Sequence, residues 1–99
     1  MSSWTLLTNH GHVMVYLSRH PEARLRDLAA EVGITERAAQ RIVNELVDDG
    51  YLRKQKVGRR NRYTLNRDAP MRHPIERDHS VGEMLTSLGG EADPDGKRS

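Results

Sequence analysis

A cluster of positive charges in the middle of the chain is the strongest chemical signal of the sequence. Residues 51–67, YLRKQKVGRRNRYTLNR, contain seven Lys or Arg and no Asp or Glu. The 99-residue chain has 16 Lys and Arg against 14 Asp and Glu, so the residues outside this segment hold 9 cations and 14 carboxylates, a net charge of −5. Because cations held close together repel each other, their concentration in one segment of an otherwise acidic chain predicts a polyanionic partner.

A set of polar side chains at helical spacing precedes this basic segment. Arg37, Arg41 and Asn44 follow each other at i, i+4 and i+7, Gln40 lies beside them, and no acid falls between Arg37 and Asn44. Arg can donate two hydrogen bonds to guanine, and Asn or Gln can pair with adenine, in the major groove of DNA. Together with Thr35, which begins the helix, they are candidates for DNA contacts. The alternative is the ordinary solvated face of a surface helix.

The cations of the basic segment are candidates for contacts with the DNA backbone. We expect Arg59, Arg60 and Arg62 to bind phosphate or to enter the minor groove, with Lys54 and Lys56 supporting them from the paired strand. Strand alternation places the two lysines on one face of the hairpin, and Arg60 and Arg62 likewise share a face. Neutralising about four phosphates gives a slope of log affinity against log salt concentration near −3.6. The alternative is a hairpin whose charges have no partner.

Helices that position these groups are predicted from apolar residues at 3.6-residue spacing and from capping residues. The first helix begins at residue 8 or 9, the second ends at Gly33, the third begins at Thr35, and a last short one begins at residue 79 or 80. Gly33 suits the left-handed conformation that follows a helix, where a side chain would be strained. The apolar faces are, in chain order, Val13, Met14 and Leu17; Leu25, Leu28, Ala29 and Val32; Ala39, Ile42, Val43 and Leu46; and Val81, Met84, Leu85 and Leu88.

The basic segment itself has the pattern of a β-hairpin. Residues 51–57 and 62–66 predict two short strands, and 58–61 predict the turn between them. Gly and Asn within 58–61 would supply the positive φ values that a tight turn needs.

The second and third helices have the residue pattern of a helix-turn-helix. Ala29 is the small residue at the helix crossing, Gly33 follows it by four residues in the turn, and Ala39 and Ile42 point back at the second helix. The stretches RDLAAEVGITERAAQRIVNELVDDGYLRK and VGRRNRYTL resemble small bacterial winged-helix transcription regulators of the MarR and ArsR type, over roughly residues 10–67. The resemblance implies a winged helix-turn-helix, a DNA partner and a homodimer.

The chain is therefore predicted to be mainly α with a small β-hairpin (α+β), in the winged helix-turn-helix arrangement. We expect an N-terminal leader over 1–9, the winged helix-turn-helix over 10–67, a C-terminal extension with a short helix over 68–88, and a disordered tail over 89–99.

The predicted function is that of a sequence-specific regulator of transcription that binds double-stranded DNA. The recognition helix, 35–49, would enter the major groove, and the basic wing, 53–67, would lie on the backbone or in the minor groove. Two alternatives stay open, since a fold does not determine a function. The winged helix could dock onto other proteins, or it could bind RNA.

Apolar residues outside the minimal winged helix are candidates for a dimer interface. A domain this small gains stability by pairing, and paired recognition helices would meet half-sites about 34 Å apart. In the alternative, the last helix covers the core of its own domain. The candidates are Trp4, Leu6, Leu7, Val81, Met84, Leu85 and Leu88.

Several classes of function lack support in the sequence. Cysteine is absent, which excludes disulfides and thiolate metal sites, and no motif for catalysis or a cofactor is found. His73, Glu76, His79 and Glu83 offer nitrogen and oxygen ligands for a metal ion, but their loose spacing favours surface or capping roles. No apolar stretch approaches the roughly 18 residues of a membrane span, and no signal peptide is visible, so a cytoplasmic protein is expected. No effector ligand is predicted.

Overall fold

The fold is mainly helical, with one two-stranded antiparallel hairpin, and confirms the predicted class. The computed structural model describes residues 3–88. The elements are, in chain order, α1 (Asn9–Arg19), α2 (Leu25–Val32), α3 (Glu36–Asp48), β1 (Leu52–Val57), β2 (Arg60–Leu65) and α4 (Val81–Ser87). The predicted tail over 89–99 lies outside the described residues.

The helix ends follow from capping side chains that the sequence marks. The hydroxyl of Thr35 accepts a hydrogen bond from the backbone N–H of Ala38 at 3.0 Å and begins α3. Ser80 and Glu83 form a reciprocal capping box at the start of α4, which satisfies two backbone N–H groups that have no partner inside the helix. Gly33 follows α2 with φ 88°, and its N–H donates to the carbonyl of Ala29 at 2.8 Å.

The core is aliphatic and lies between the first three helices, the base of the hairpin and α4. Ala29 is 3% exposed, as expected for the small residue at the crossing of α2 and α3. The side chain of Tyr63 is buried at the base of the hairpin and fastens β2 to the core. The side chains with the least exposure are Val13, Leu17, Leu28, Ala39, Val43 and Leu85.

The hairpin turn is shorter than the sequence suggests. Val57 pairs with Arg60, and Lys56 pairs with Asn61, so the turn contains only Gly58 and Arg59. The prediction of a turn over 58–61 was therefore wrong, since Asn61 belongs to the strand. Gly58 has φ 64°, and no non-Gly residue among those described has a positive φ. Gly at the first central position of a two-residue turn is the pattern of type II′, which matches the twist of the strands.

The base of the hairpin is tied to the end of α3 by several hydrogen bonds. The N–H of Tyr51 donates to the carbonyl of Leu46 at 2.8 Å. The side chain of Asn66 donates to the carbonyl of Gly50 at 3.1 Å, and its backbone N–H donates to Tyr51 at 3.0 Å. Gly50, with φ 85°, makes the sharp change of direction between helix and strand. These bonds set the orientation of the hairpin relative to α3.

The C-terminal extension folds back onto the domain. The hydroxyl of Tyr51 donates to the carbonyl of Pro70 at 2.6 Å, and α4 packs against α1. Val81 is 4% exposed and Leu85 is fully buried within the chain. These two side chains are therefore part of the protomer's own core and cannot be contacts of a dimer interface while the domain is folded. For them, the alternative that the last helix covers its own domain is the correct one.

Candidate nucleic-acid interface

The polar face of α3 is exposed along its length. Arg37, Gln40, Arg41 and Asn44 are all exposed, because the apolar residues of α3 occupy the opposite face and are buried. They border one shallow concave surface, so the structure brings these predicted contacts together. The side-chain amide of Gln40 donates to the side-chain oxygen of Asn44 at 3.0 Å, which holds the two amides in a defined orientation. Thr35 is exposed at the N-terminal end of this face.

An acid beside this face was missed in the sequence. Glu45, one residue after Asn44, forms an ion pair with Arg41 at 3.5 Å. The other oxygen of its carboxylate accepts a hydrogen bond from the His10 ring at 2.7 Å. The hydrogen bond from His10, together with Arg41, holds the pKa of Glu45 below its ordinary value. In the free protein, Arg41 is therefore engaged by Glu45.

The cations of the hairpin lie on both of its faces. Lys54 pairs across the strands with Tyr63, whereas Arg62 pairs with Gln55. Side chains of paired residues share a face of an antiparallel sheet. Lys54 and Lys56 therefore lie on the face of Tyr63, and Arg60 and Arg62 lie on the opposite face. Each predicted pair does share a face, and the two pairs lie on opposite faces of the hairpin. The two-residue turn sets a register that separates them.

The connection between α1 and α2 brings an acid against the hairpin. The carboxylate of Glu22 is 3.5 Å from the guanidinium of Arg62, and its backbone carbonyl accepts a hydrogen bond from Arg60 at 3.4 Å. The N–H of Tyr63 donates to the carbonyl of Pro21 at 2.8 Å, so this connection runs along the outer edge of β2. Two of the three predicted wing arginines are thus held by Glu22 in the free protein.

The remaining cations divide into free and structural ones. Arg67 turns away from the hairpin and donates to the hydroxyl of Thr86 at 3.0 Å, so it anchors α4. In contrast, four candidate side chains make no ion pair with any of the described residues. No ion pair within the described part of the protein would have to break before they bind an anion. They are Arg37, Lys54, Lys56 and Arg59.

The other predicted site residues are dispersed. Trp4 is 72% exposed, Leu6 90% and Leu88 42%, while Leu7 and Met84 are half-buried. A dimer through these side chains stays a prediction. The His79 ring is 2.8 Å from the carboxylate of Glu83, and this hydrogen bond is the main cause of the lowered pKa of Glu83. Across residues 3–88, no group of three or more His, Asp or Glu side chains is arranged to hold a metal ion. Over the same range, no helix has the length and apolarity needed to cross a membrane.

Comparison with known proteins supports the resemblance to regulators of the MarR type. The sequence model of the MarR family matches residues 4–62. The fold is similar to the crystal structure of a predicted DNA-binding transcriptional regulator from E. coli, with 16% identity and a TM-score of 0.56 over 80% of this chain and 72% of that one. It also matches the zinc-dependent MarR family regulator AdcR in its Zn(II)-bound state, with 19% identity and a TM-score of 0.48 over 97% of this chain and 70% of that one. A search of curated proteins finds no match.

Proposed function

Because the chain belongs to the MarR family, we propose that it is a transcription regulator that binds double-stranded DNA in a sequence-specific manner in the cytoplasm. In this proposal α3 with its flanking residues, 35–49, enters the major groove, and the wing, 53–67, contacts the backbone and the adjacent minor groove. The observation that carries the proposal is the exposed polar face of α3 beside a hairpin whose cations largely lack ion pairs.

The recognition helix reads bases with its first three turns. Arg37 and Arg41 are suited to guanine, and the hydrogen-bonded pair of Gln40 and Asn44 is suited to adenine. Thr35 lies at the N-terminal end of the helix, where backbone N–H groups and the helix dipole favour a phosphate. Asp48 lies at the other end of the same face and repels phosphate, so the C-terminal end of α3 tilts away from the DNA.

The distribution of the wing cations favours insertion into the minor groove over contact with a single strand of the backbone. Arg59 lies at the tip, Arg60 and Arg62 lie on one face, and Lys54 and Lys56 lie on the other. A hairpin that enters the groove tip first has a phosphate backbone on each side. Cations on both faces then have partners, whereas a hairpin that lies flat on one backbone leaves one face unused.

A homodimer completes the proposal. Two copies related by a two-fold axis place their recognition helices in half-sites about 34 Å apart. After Val81 and Leu85 are assigned to the protomer core, the proposed contacts that remain are the exposed Trp4, Leu6 and Leu88 and the half-buried Leu7 and Met84. Light scattering at tens of micromolar protein tests this, and a monomer mass would contradict it.

A binding selection from random duplexes, followed by salt titration of the preferred site, tests the proposal. For about four phosphate contacts in each protomer, we expect a log–log slope near −3.6 for each protomer. Arg59→Ala should reduce that slope by about 0.9 and weaken all sequences alike. Arg77→Ala, which removes the same charge from an exposed position outside the wing, is the matched control.

Three outcomes would contradict this function. Equal affinity for RNA of the same length would favour an RNA-binding winged helix. Affinity without salt dependence, or an equal loss for Arg59→Ala and Arg77→Ala, would remove the wing from the interface. The absence of any preferred duplex would favour a winged helix that docks onto proteins.

A further inference from the structure

Three side chains in contact connect α1 to the recognition face of α3. The recognition face is the exposed polar surface of α3 with Arg37, Gln40, Arg41 and Asn44. The His10 ring lies 2.7 Å from one oxygen of the Glu45 carboxylate, and the guanidinium of Arg41 lies 3.5 Å from the other oxygen. We propose that His10 is a positioning residue for DNA recognition, which acts through Glu45 on Arg41 and strengthens DNA binding as the pH falls. This inference rests on the proposed function.

The charge of the imidazole decides which partner balances the carboxylate. A neutral His10 ring donates one hydrogen bond to Glu45, and the negative charge is then balanced by Arg41. A protonated ring donates the same hydrogen bond with a positive charge, and charge-assisted hydrogen bonds are roughly twice as strong as neutral ones. The positive charge of Arg41 is then free to attract a base or a phosphate.

Glu45 keeps its negative charge through this change. The hydrogen bond with His10 is the largest cause of the lowered pKa of Glu45, and Arg41 lowers the pKa further. The carboxylate therefore stays ionised over the range of about pH 5 to 8 in which an imidazole ordinarily gains its proton. All three side chains are partly exposed, so protons and DNA can both reach them.

The groups that surround His10 come from α3, from the segment before α4 and from the residue that precedes β1. The titratable side chains that border the same concave surface as the imidazole are Glu45, Asp49, Tyr51, Arg72 and Glu76. Asp49 is paired with Arg72 at 2.9 Å, so this arginine is engaged away from Glu45. Among these kinds of side chain, only an imidazole ordinarily changes its charge between about pH 5 and 8.

The sign of the effect follows from what Arg41 leaves behind. When the His10 ring is neutral, a contact between Arg41 and DNA breaks the ion pair and leaves the Glu45 carboxylate unbalanced near phosphate. When the ring is protonated, the carboxylate keeps a cation as its partner. DNA binding is therefore coupled to the uptake of a proton, and each strengthens the binding of the other by the same factor.

Fluorescence anisotropy of the preferred duplex at constant ionic strength, from about pH 8 to about pH 5.5, tests the proposal. The affinity of the wild type should rise roughly two- to fivefold, the effect of releasing a surface ion pair. His10→Gln keeps a hydrogen-bond donor that does not gain a proton in this range, so the rise should disappear. Glu45→Gln should bind more tightly than the wild type at about pH 8 and should also lose the rise.

His12→Gln is the matched control on the same helix. The ring of His12 is 3.3 Å from the uncharged side chain of Asn9, so the substitution removes an imidazole that has no contact with Glu45. The full rise in affinity should remain in this variant.

A second duplex separates an effect on Arg41 from a general gain of positive charge. Its sequence differs only at the base pair where Arg41→Ala relaxes the selection. The rise should be smaller for this duplex than for the preferred one, because Arg41 finds no matching base there. An equal rise for both duplexes would overturn the positioning of Arg41.

The remaining outcomes are equally decisive. A flat pH response in the wild type, a rise that persists in His10→Gln or Glu45→Gln, or an equal loss in His12→Gln would overturn the role of His10. Any of these results with a preferred duplex would leave the proposed function standing. The absence of a preferred duplex at every pH would overturn both.

Discussion

Removal of the charge on Glu22 is expected to strengthen DNA binding. Glu22 holds Arg62 by an ion pair of 3.5 Å and Arg60 by its backbone carbonyl. The substitution Glu22→Gln removes the ion pair, keeps the length of the side chain and leaves the backbone contact with Arg60 in place. Arg62 is then available for phosphate without first breaking a contact, and one negative charge near the DNA is lost. A gain of affinity is informative because a misfolded variant cannot produce it.

The size of the effect follows from the exposure of the pair. The side chains of Arg62 and Glu22 are 53% and 46% exposed, so their interaction has the roughly 0.2–1 kcal/mol of a surface ion pair. Without Glu22, DNA binding no longer has to break this ion pair, so the affinity should rise roughly 1.4- to 5-fold. One additional phosphate contact makes the salt slope steeper by about 0.9 for each protomer. The free energy of unfolding should fall by no more than about 1 kcal/mol.

Fluorescence anisotropy of a labelled duplex, carried through a series of NaCl concentrations, measures both quantities. The matched control is Glu31→Gln, because Glu31 is an exposed acid on α2 without an ion pair to any residue in 3–88. If the gain for Glu22→Gln comes from the release of Arg62, the control should leave the slope unchanged. An unchanged slope in Glu22→Gln, or the same gain in both variants, would refute the role assigned to Arg62.

Three further predictions concern base recognition by α3, the turn between α2 and α3, and the stability of the protein at acidic pH. Arg41→Ala should relax base choice by about 1–3 kcal/mol, and a selection that returns the wild-type site would remove Arg41 from the set that reads bases. Gly33→Ala should cost about 1–2 kcal/mol of stability by thermal denaturation, since φ is 88° and nothing lies within 4 Å of an added Cβ, so the cost is that of the backbone alone. Glu45 and Glu83 have lowered pKa values in the folded state, so their stabilisation is complete above the ordinary value of 4.5 and is lost as pH falls through the lower folded values. The Glu45→Gln, Glu83→Gln double variant should therefore lose less stability than the wild type between neutral and acidic pH, and identical acid denaturation curves would contradict this.

The helices could be predicted from the sequence because their signals are local. The apolar residues of α3 recur at 3.6-residue spacing, and Thr35 lies where a cap is needed. The end of α2 was equally clear, because Gly33 can adopt a left-handed conformation without strain. The exposed face with Arg37 and Arg41 then follows from geometry, since a helix that buries one side exposes the other.

Contacts between distant segments could not be predicted in the same way. Glu22 and Arg62 are far apart along the chain, and only the packing of the α1–α2 connection against β2 brings them together. Nothing in the local pattern around either residue indicates this contact. The hydrogen bond between His10 and Glu45 likewise joins segments that are far apart along the chain. In contrast, the ion pair between Arg41 and Glu45 could have been predicted from their i, i+4 spacing.

The turn and the last helix show two other limits of sequence patterns. Gly58 and Asn61 are both acceptable turn residues, and only the register of the strands decides that Gly58 alone is needed. The apolar stripe of α4 is equally compatible with a partner and with the protomer's own core. The burial of Leu85 of α4 in the protomer's own core results from the path of the preceding segment, which the sequence leaves open.

The hydrogen bonds between the hairpin and the end of α3 have a consequence for the choice of target. Tyr51 and Asn66 tie the base of the hairpin to the end of α3, so we expect the recognition face and the wing to keep their relative orientation. In the proposed complex the duplex must then supply the deformation, by bending or by changing the width of its minor groove. The energy of that deformation depends on base steps that no side chain touches. Flanking base pairs should therefore contribute to operator preference through the stiffness of the DNA alone.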